Sequence, residues 1–291
     1  MQRNKKIKSL IIPYLFLLPA ITILTVLWLY PILYAVWLSF FNLYLMKPGQ
    51  FSFVGLKNYE RFLFRDPLTP IVFNATLVIT LGSLVLSILI GLATAMVMKS
   101  KTNRFIRSVI ITPYAIPTVV VSLITLWIID PTYGILTYVV HLFTGVKVNM
   151  LSNPTLALIT ILCSFVWKYY PFSTLVLLAA LESVPKQFYE AAEIDGASSI
   201  QRFIHVTIPS IKPTLLLLIL LLTISGFQCF DVIYMVTSGG PSNATNNLVI
   251  YTYQNAFTFY RMSYASAIGI FSTFIMLIIS ILYLRLLGKR E

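Results

Sequence analysis

Residues 70–98 have the sequence PIVFNATLVITLGSLVLSILIGLATAMVM, and none of these side chains carries a charge. A helix needs about 20 apolar residues to cross the hydrocarbon of a bilayer, so this stretch is long enough to span a membrane. Comparable stretches recur along the chain, and the first is long enough to tilt or to continue beyond the bilayer. The sequence predicts six transmembrane helices, at residues 10–41, 70–98, 106–130, 154–180, 211–236 and 263–286.

The overall composition agrees with a membrane protein. Of the 291 residues, 58% are hydrophobic and 10% are charged, and the mean hydropathy is +0.87. A soluble domain usually carries about a quarter charged residues. We therefore expect an all-α membrane protein whose residues 1–291 form a single transmembrane domain with short loops.

The net charge of +12 comes from 21 Lys and Arg residues against nine acidic ones, and it does not indicate nucleic acid binding because the basic residues flank apolar runs. Basic residues near span ends predict the cytoplasmic side. Most of them fall in the N-terminus, residues 99–107, residues 182–212 and the C-terminus, and the intervening loops hold fewer. The pattern predicts that both termini are cytoplasmic.

Several chemistries are absent from the sequence. It has no Gly-rich phosphate-binding loop, no His-Glu metal motif and no Gly-x-Ser-x-Gly elbow. His141 and His205 fall in predicted loops, where they cannot form a proton relay within the spans. Cys163 and Cys229 lack paired spacing, so we predict no metal site. The chain is expected to be neither an enzyme nor a self-powered carrier, and uphill transport would need energy from another subunit.

The loop between the fourth and fifth predicted spans, residues 182–213, has the sequence ESVPKQFYEAAEIDGASSIQRFIHVTIPSIKP. Pro185 suits the start of a helix, Gly196 suits a left-handed residue after it, and Ser198 or Ser199 suits the cap of a second helix. We predict two short helices joined by a sharp turn. Residue periodicity alone also allows an ordinary amphipathic loop that lies on the membrane.

The predicted turn combines small and acidic residues. Small side chains let a backbone enter a partner's groove closely, and here they are Ala191, Ala192, Gly196 and Ala197. Carboxylates at Glu190, Glu193 and Asp195 add an acidic rim to a basic side of the protein. The turn is therefore predicted to dock a partner.

The fifth predicted span contains polar residues that a lipid-facing helix would avoid. Gln228 offers donors and acceptors for sugar hydroxyls, and Phe227 suits stacking on an apolar sugar face. Hydrogen bonding between helices explains the same residues equally well. The candidate solute-pathway residues are Ser225, Phe227, Gln228 and Asp231, with Trp167 and Tyr170 as weaker candidates that also suit interface anchoring.

The sequence of residues 190–197, EAAEIDGA, with Phe203 and Ile208-Pro209, resembles the "EAA" loop of binding-protein-dependent ABC importer permeases. Further stretches resemble the carbohydrate-uptake, maltose-type branch in its compact six-helix form. They are FVGLKNY at 53–59, TPYAIP at 112–117, TSGGP at 237–241, and YTY at 251–253 with Ala256-Phe257.

The resemblance implies a type I importer permease in the cytoplasmic membrane of a bacterium or archaeon. Loop residues 182–210 would couple the spans to ATP hydrolysis, through Glu190, Ala191, Ala192, Asp195, Gly196 and Ala197. The implied partners are a second, different permease chain, two cytoplasmic ATPase subunits that hold ATP and Mg²⁺, and an extracytoplasmic solute-binding protein. This chain itself would bind no cofactor.

Three functions follow from these features. The first is import of a sugar or oligosaccharide by alternating access. The second is import of another polar solute, such as a glycerol phosphate or a polyol. Lys168 is the only basic residue in the interior of a predicted span, away from the span ends, which favours a neutral solute because a phosphate would want Arg or Lys in the pore. The third is a membrane scaffold without transport.

Overall fold

The computed structural model describes residues 16–47, 49, 51–99 and 104–288, which are mostly helical. Within those ranges, five helices are long and apolar enough to cross a membrane, and a sharply bent pair gives a sixth crossing if it counts as one span. The fold is thus the predicted all-α membrane fold. Residues 10–15 of the first predicted span lie outside the described residues.

The helices of the first half are α1 (Phe16–Ser39), α2 (Lys57–Glu60), α3 (Thr69–Lys99), α4 (Arg104–Ala115), α5 (Thr118–Ile128), α6 (Ile135–Thr144) and α7 (Pro154–Glu182). The second half contains α8 (Lys186–Ile194), α9 (Ser199–Arg202), α10 (Ile208–Phe227), α11 (Asp231–Val236), α12 (Leu248–Tyr253) and α13 (Met262–Gly288). Two short antiparallel strands, β1 (Phe41–Asn42) and β2 (Ser52–Phe53), pair Phe41 with Phe53. Single π-helical turns lie at Thr25–Leu29, Arg61–Arg65, Phe203–Thr207 and Gln254–Thr258.

The chain divides into two units. The first comprises the described residues up to Asp66 together with Thr252–Phe271. Inside it, the Ser263 hydroxyl accepts a hydrogen bond from Leu43 N–H (2.9 Å), and the Tyr264 hydroxyl donates to Asp66. Phe62 is fully buried and meets Phe271 edge to face. These contacts join segments that are far apart in the sequence.

The second unit comprises Pro67–Tyr251 and the chain from Ser272 onward. In it, α3 and α7 run parallel and very close. A Cβ atom added to Gly82 would lie 3.0 Å from Leu162 Cδ2, and one added to Gly91 would lie 2.5 Å from Ser173 Cβ. Such close approach through small residues is typical of helices that pack in a membrane. Because the helices are parallel, their C-terminal ends lie on the same side of the unit.

The helix α7 begins at a well-formed cap. The Asn153 side chain accepts hydrogen bonds from Thr155 N–H (2.9 Å) and Leu156 N–H (3.2 Å), and Pro154 occupies the first helical position. Asn is a preferred N-cap, and Pro is tolerated at the first helical position because an N–H there would have no intrahelical acceptor. The cap explains why the apolar run that follows starts as helix at this residue.

Two predicted spans are interrupted rather than continuous. The third, predicted at 106–130, bends by 95° between α4 and α5. Pro117 has no N–H to donate, and its ring disfavours the helical conformation at Ile116. The fifth, predicted at 211–236, leaves the helical conformation at residues 228–230, between α10 and α11. The helix α6 was not predicted, because its ten residues are too few for a span.

Candidate functional site

The loop that links α7 to α10, residues 182–210, folds as the predicted pair of short helices, and we call it the docking loop. Pro185 directly precedes α8, and Asp195 follows it at the C-cap. Gly196 then adopts φ +76°, the left-handed region that favours glycine. Its N–H donates to Glu193 O (3.0 Å), and the N–H of Ala197 donates to Ala192 O (2.9 Å). The turn therefore satisfies the last carbonyls of α8.

Side-chain bonds brace the docking loop. Ser198 and Gln201 form a reciprocal capping box, with Ser198 N–H donating to Gln201 Oε1 (2.8 Å) and Gln201 N–H to Ser198 Oγ (3.3 Å). Glu193 on α8 pairs with Arg202 on α9 at 3.1 Å. The hydroxyls of Tyr189 and Thr207 lie 3.1 Å apart. The loop is thus one folded piece that leads directly into α10.

The predicted coupling residues lie on the surface of the docking loop. Glu190, Ala191, Asp195 and Gly196 are exposed, and Ala192 and Ala197 are half-buried. Four of the six share a groove of about 300 Å³, namely Ala192, Asp195, Gly196 and Ala197. The carboxylates of Glu190 and Asp195 make no hydrogen bond or ion pair with the described part of the chain. No group of three or more His, Cys, Asp or Glu residues in that part could hold a metal ion.

Large apolar side chains flank the carboxylates on the docking loop. Ile194 is 87% exposed, Ile200 72% and Ile204 53%. The spacing of Ile200 and Ile204 places them on one face. Exposed apolar groups beside unpaired carboxylates are typical of an interaction surface.

The interruption of the fifth span exposes two of the predicted pathway residues. Gln228 and Asp231 flank it and are exposed, whereas Cys229 between them is buried. The carbonyl of Cys229 accepts a hydrogen bond from Nδ2 of Asn247 (2.9 Å), and Asn247 Oδ1 accepts one from Ile250 N–H (2.9 Å). Asn247 is completely buried. It positions the interruption, and nothing in the sequence pattern around it indicated this role.

Of the other predicted pathway residues, Ser225 contacts the side chain of Tyr169, which also lies near Asp231. Phe227 is buried and lines an apolar cavity of about 440 Å³ formed by α3, α10 and the C-terminal part of α13. The Ser225 hydroxyl donates to Leu221 O of its own helix (3.0 Å). Trp167 lines a separate groove with α5 and α6, and Tyr170 is half-buried. The structure therefore places Ser225 and Asp231 near the same Tyr169 side chain, with Gln228 exposed at the interruption, whereas Phe227 and Trp167 line other cavities.

Lys168 has a structural role that the sequence did not predict. Its side chain is buried, and Nζ donates to Tyr114 O (2.7 Å) and to Ile116 O. These carbonyls end α4, where a cation is favoured by the helix dipole. Lys168 is therefore already hydrogen-bonded within the chain, and its presence in a span gives no information about the charge of the solute. The sequence held one sign of this contact. Pro117 in TPYAIP (112–117) predicts the end of a helix, and Lys168 is a single cation in an apolar run that could bind the carbonyls at that end.

The chain is similar to known transport proteins. Residues 87–290 match the family model described as "Binding-protein-dependent transport system inner membrane component". The chain is 30% identical to a sulfoquinovosyl glycerol transport system permease of Agrobacterium fabrum, over 95% of this chain and 90% of that protein. It is 33% identical to a trehalose/maltose transport system permease of Thermococcus litoralis, over 94% and 92%.

The fold is also that of a solved transporter. It matches a chain in the crystal structure of a bacterial ABC transporter involved in the import of the acidic polysaccharide alginate, with a TM-score of 0.83. The match covers 100% of both chains at 21% sequence identity. From the family match and the relatives together, the chain belongs to the family of binding-protein-dependent transport system inner membrane components, the permease subunits of ABC importers.

Proposed function

We propose that this chain is the permease subunit of an importer that moves a sugar or oligosaccharide across the cytoplasmic membrane by alternating access. An extracytoplasmic binding protein delivers the solute, and a second, different permease chain completes the pathway. Two partner ATPase subunits bind ATP and Mg²⁺ and supply the energy. Family membership supports the importer class, and the relatives named for sulfoquinovosyl glycerol and for trehalose and maltose support a sugar.

The observation that carries the coupling mechanism is the form of the docking loop. It is a braced helix–turn–helix whose carboxylates, Glu190 and Asp195, are exposed and make no ion pair within the described chain. Its small residues let an ATPase cleft close around the turn, and the exposed isoleucines supply apolar contact. A folded surface whose carboxylates are unpaired within the described chain suits a partner that binds and displaces it.

The docking loop is continuous with α10 through the π-helical turn at Phe203–Thr207. A displacement of the loop is therefore transmitted along α10 to the interruption at residues 228–230. Packed helices switch between discrete arrangements, so small shifts at one end change the contacts at the other. We propose that this lever moves Gln228 and Asp231, which contact the solute as it passes.

We also propose that both termini and the docking loop are cytoplasmic. The parallel packing of α3 and α7 supports this orientation, because it puts the end of α3 at Lys99 and the start of the docking loop on one side. Arg107 at the start of α4 links the two ends, donating to Met98 O (3.3 Å) and lying 3.7 Å from Glu182. Basic residues collect at this end, as expected for a cytoplasmic face.

A neutral solute is favoured over a phosphate. Lys168 is buried against the carbonyls that end α4, so it is not free to bind an anion. We use uptake of radiolabelled trehalose and of sn-glycerol 3-phosphate by the assembled importer to separate these alternatives. Uptake of trehalose alone supports the sugar proposal, and uptake of the phosphate alone contradicts it.

Gly196→Val tests the coupling proposal. A Cβ atom at Gly196 would meet no atom within 4 Å, so the substitution strains only the left-handed backbone of the docking turn. We expect the importer to assemble but to lose most of its ATP-driven uptake. Gly145→Val is a matched control, because Gly145 has φ +70° and equally open surroundings at the end of α6. Wild-type uptake by the Gly196 variant, with ATPase subunits bound, would contradict coupling through this turn.

A further inference from the structure

A second cavity lies beside the docking loop, on the side of the span ends. Its volume is about 240 Å³. Two cationic residues line it, Lys99 at the end of α3 and Arg202 at the end of α9. Three hydroxyl residues, Tyr189, Ser199 and Thr207, also line it. Cations and hydroxyl donors gathered in one concave site are the groups that bind a phosphate.

The charge of Lys99 is not neutralised within the described chain. Its Nζ lies 4.8 Å from the centroid of the Tyr189 ring, and it makes no ion pair with a described carboxylate. Tyr189 is itself fixed by the contact of its hydroxyl with Thr207. Lys99 is thus held over one wall of the cavity with its ammonium group available to an anion.

Within the described residues, the half-buried Arg202 guanidinium makes one ion pair and one hydrogen bond. One of its nitrogens lies 3.1 Å from Glu193, whose side chain is 70% exposed, and another lies 3.4 Å from Ser199 Oγ. Exposed ion pairs contribute about 0–1 kcal/mol, so a phosphate that also contacts Lys99 can replace Glu193. Arg202 lines the groove of the docking turn as well, and it therefore connects the two cavities.

The remaining wall of the cavity is apolar and lies at the ends of two spans. Met96 comes from the last turn of α3, Leu181 from the last turn of α7, and Phe203 from the π-helical turn. Because α3 and α7 end on the same side, the cavity lies at the ends of two candidate spans, beside which the lipid headgroups of a bilayer would lie. A free phosphate makes no favourable contact with an apolar wall, whereas the glycerol region and acyl chains of a phospholipid pack against one.

We propose that this cavity binds the headgroup of an anionic phospholipid, with Lys99 and Arg202 on the phosphate and the apolar wall against the glycerol region. Basic pockets between spans are a recurrent way of holding acidic lipids. Binding draws Arg202 from Glu193 and so changes the bracing of the docking loop. The anionic lipid content of the membrane thereby acts on the surface that receives the partner.

The test measures lipid retention by the purified whole importer. The complex is washed in detergent with phosphatidylglycerol or with phosphatidylcholine, and native mass spectrometry counts the molecules retained. We expect preferential retention of phosphatidylglycerol, and Lys99→Gln should weaken it by about fivefold, the contribution of one cation near a membrane surface. Lys212→Gln, which removes an exposed cation outside the cavity, should leave retention unchanged.

Two further arms identify the ligand and the role of Arg202. Millimolar inorganic phosphate should not displace the lipid, and complete displacement would mean that the cavity is a free-anion site. Glu193→Gln should raise retention, because it frees Arg202. Equal losses in the Lys99 and Lys212 variants, or a lower retention in the Glu193 variant, would overturn the proposal. The readout does not depend on transport, so it stands or falls separately from the proposed function.

Discussion

Replacing Lys168 with Met should destabilise the bend of the third span. The Lys168 ammonium donates to Tyr114 O and Ile116 O, which are carbonyls left without helical partners where α4 ends. Met keeps most of the volume of the side chain but has no donor. The position is near the middle of α7, where water is scarce and a free carbonyl is costly.

The expected magnitude follows from two opposed effects. A buried carbonyl left without a donor costs about 1–3 kcal/mol, and two carbonyls lose theirs here. Removal of the buried ammonium offsets part of this loss of stability, because the folded state no longer bears the cost of desolvating the charge. A net loss of about 2 kcal/mol is the size measured for a cation at a partly buried helix C-terminus. Such a loss lowers Tm by about 4–8 °C for a chain of this size.

The chain allows a direct assay of unfolding. It has two cysteines, and Cys163→Ser leaves only Cys229, whose side chain is buried. A dye that fluoresces on reaction with thiols then reports the temperature at which Cys229 becomes exposed. Lys212→Met is the control, because it makes the same chemical change at an exposed lysine. If the Lys168 and Lys212 variants unfold at the same temperature, the clamp on α4 contributes nothing and our reasoning is wrong.

Two other substitutions test the packing and the fifth-span interruption. Gly91→Ala should lower the free energy of unfolding by about 1–3 kcal/mol, because the added Cβ would lie 2.5 Å from Ser173 Cβ. Gly269→Ala is the control and should have no such effect, because its added Cβ would lie 3.5 Å from the nearest atom. Thermal unfolding of the two variants distinguishes these outcomes. Asn247→Leu removes the donor to the Cys229 carbonyl and should lower the free energy of opening at the interruption by about 1.4 kcal/mol. The rate at which a membrane-permeant maleimide labels Cys229 in the native state should then rise about tenfold. An unchanged labelling rate would show that Asn247 does not hold the interruption closed.

The spans were predictable because crossing a bilayer depends on local composition. The predicted segments 70–98, 154–180 and 263–286 differ by a few residues from α3, α7 and α13. The interruptions were harder, because a proline does not decide them alone. Pro113, Pro171 and Pro213 all lie inside helices. The chain bends at Pro117, where a lysine from another helix satisfies the freed carbonyls.

The two candidate sites differ in how much the sequence revealed. The docking turn depends on local chemistry, with Gly196 at the left-handed position and Ser198 in a capping box, so sequence reasoning reached its form. The pathway residues depend on where α10 ends, which decides that Phe227 is buried while Gln228 is exposed. Asn247 reaches the interruption from a separate segment of chain, and no pattern in its neighbourhood predicts that contact.

The two ends of α10 differ in how firmly they are held. At residues 228–230 the freed Cys229 carbonyl is bonded to a fully buried Asn247. At the docking loop the Glu193–Arg202 pair has one exposed partner, Glu193, and contributes about 0–1 kcal/mol. A force applied to the loop of the isolated chain would therefore break this ion pair before it broke the Asn247 bond at the interruption. Contact with the proposed ATPase partner must stiffen the docking loop as well as displace it, and without that stiffening α10 cannot act as a lever.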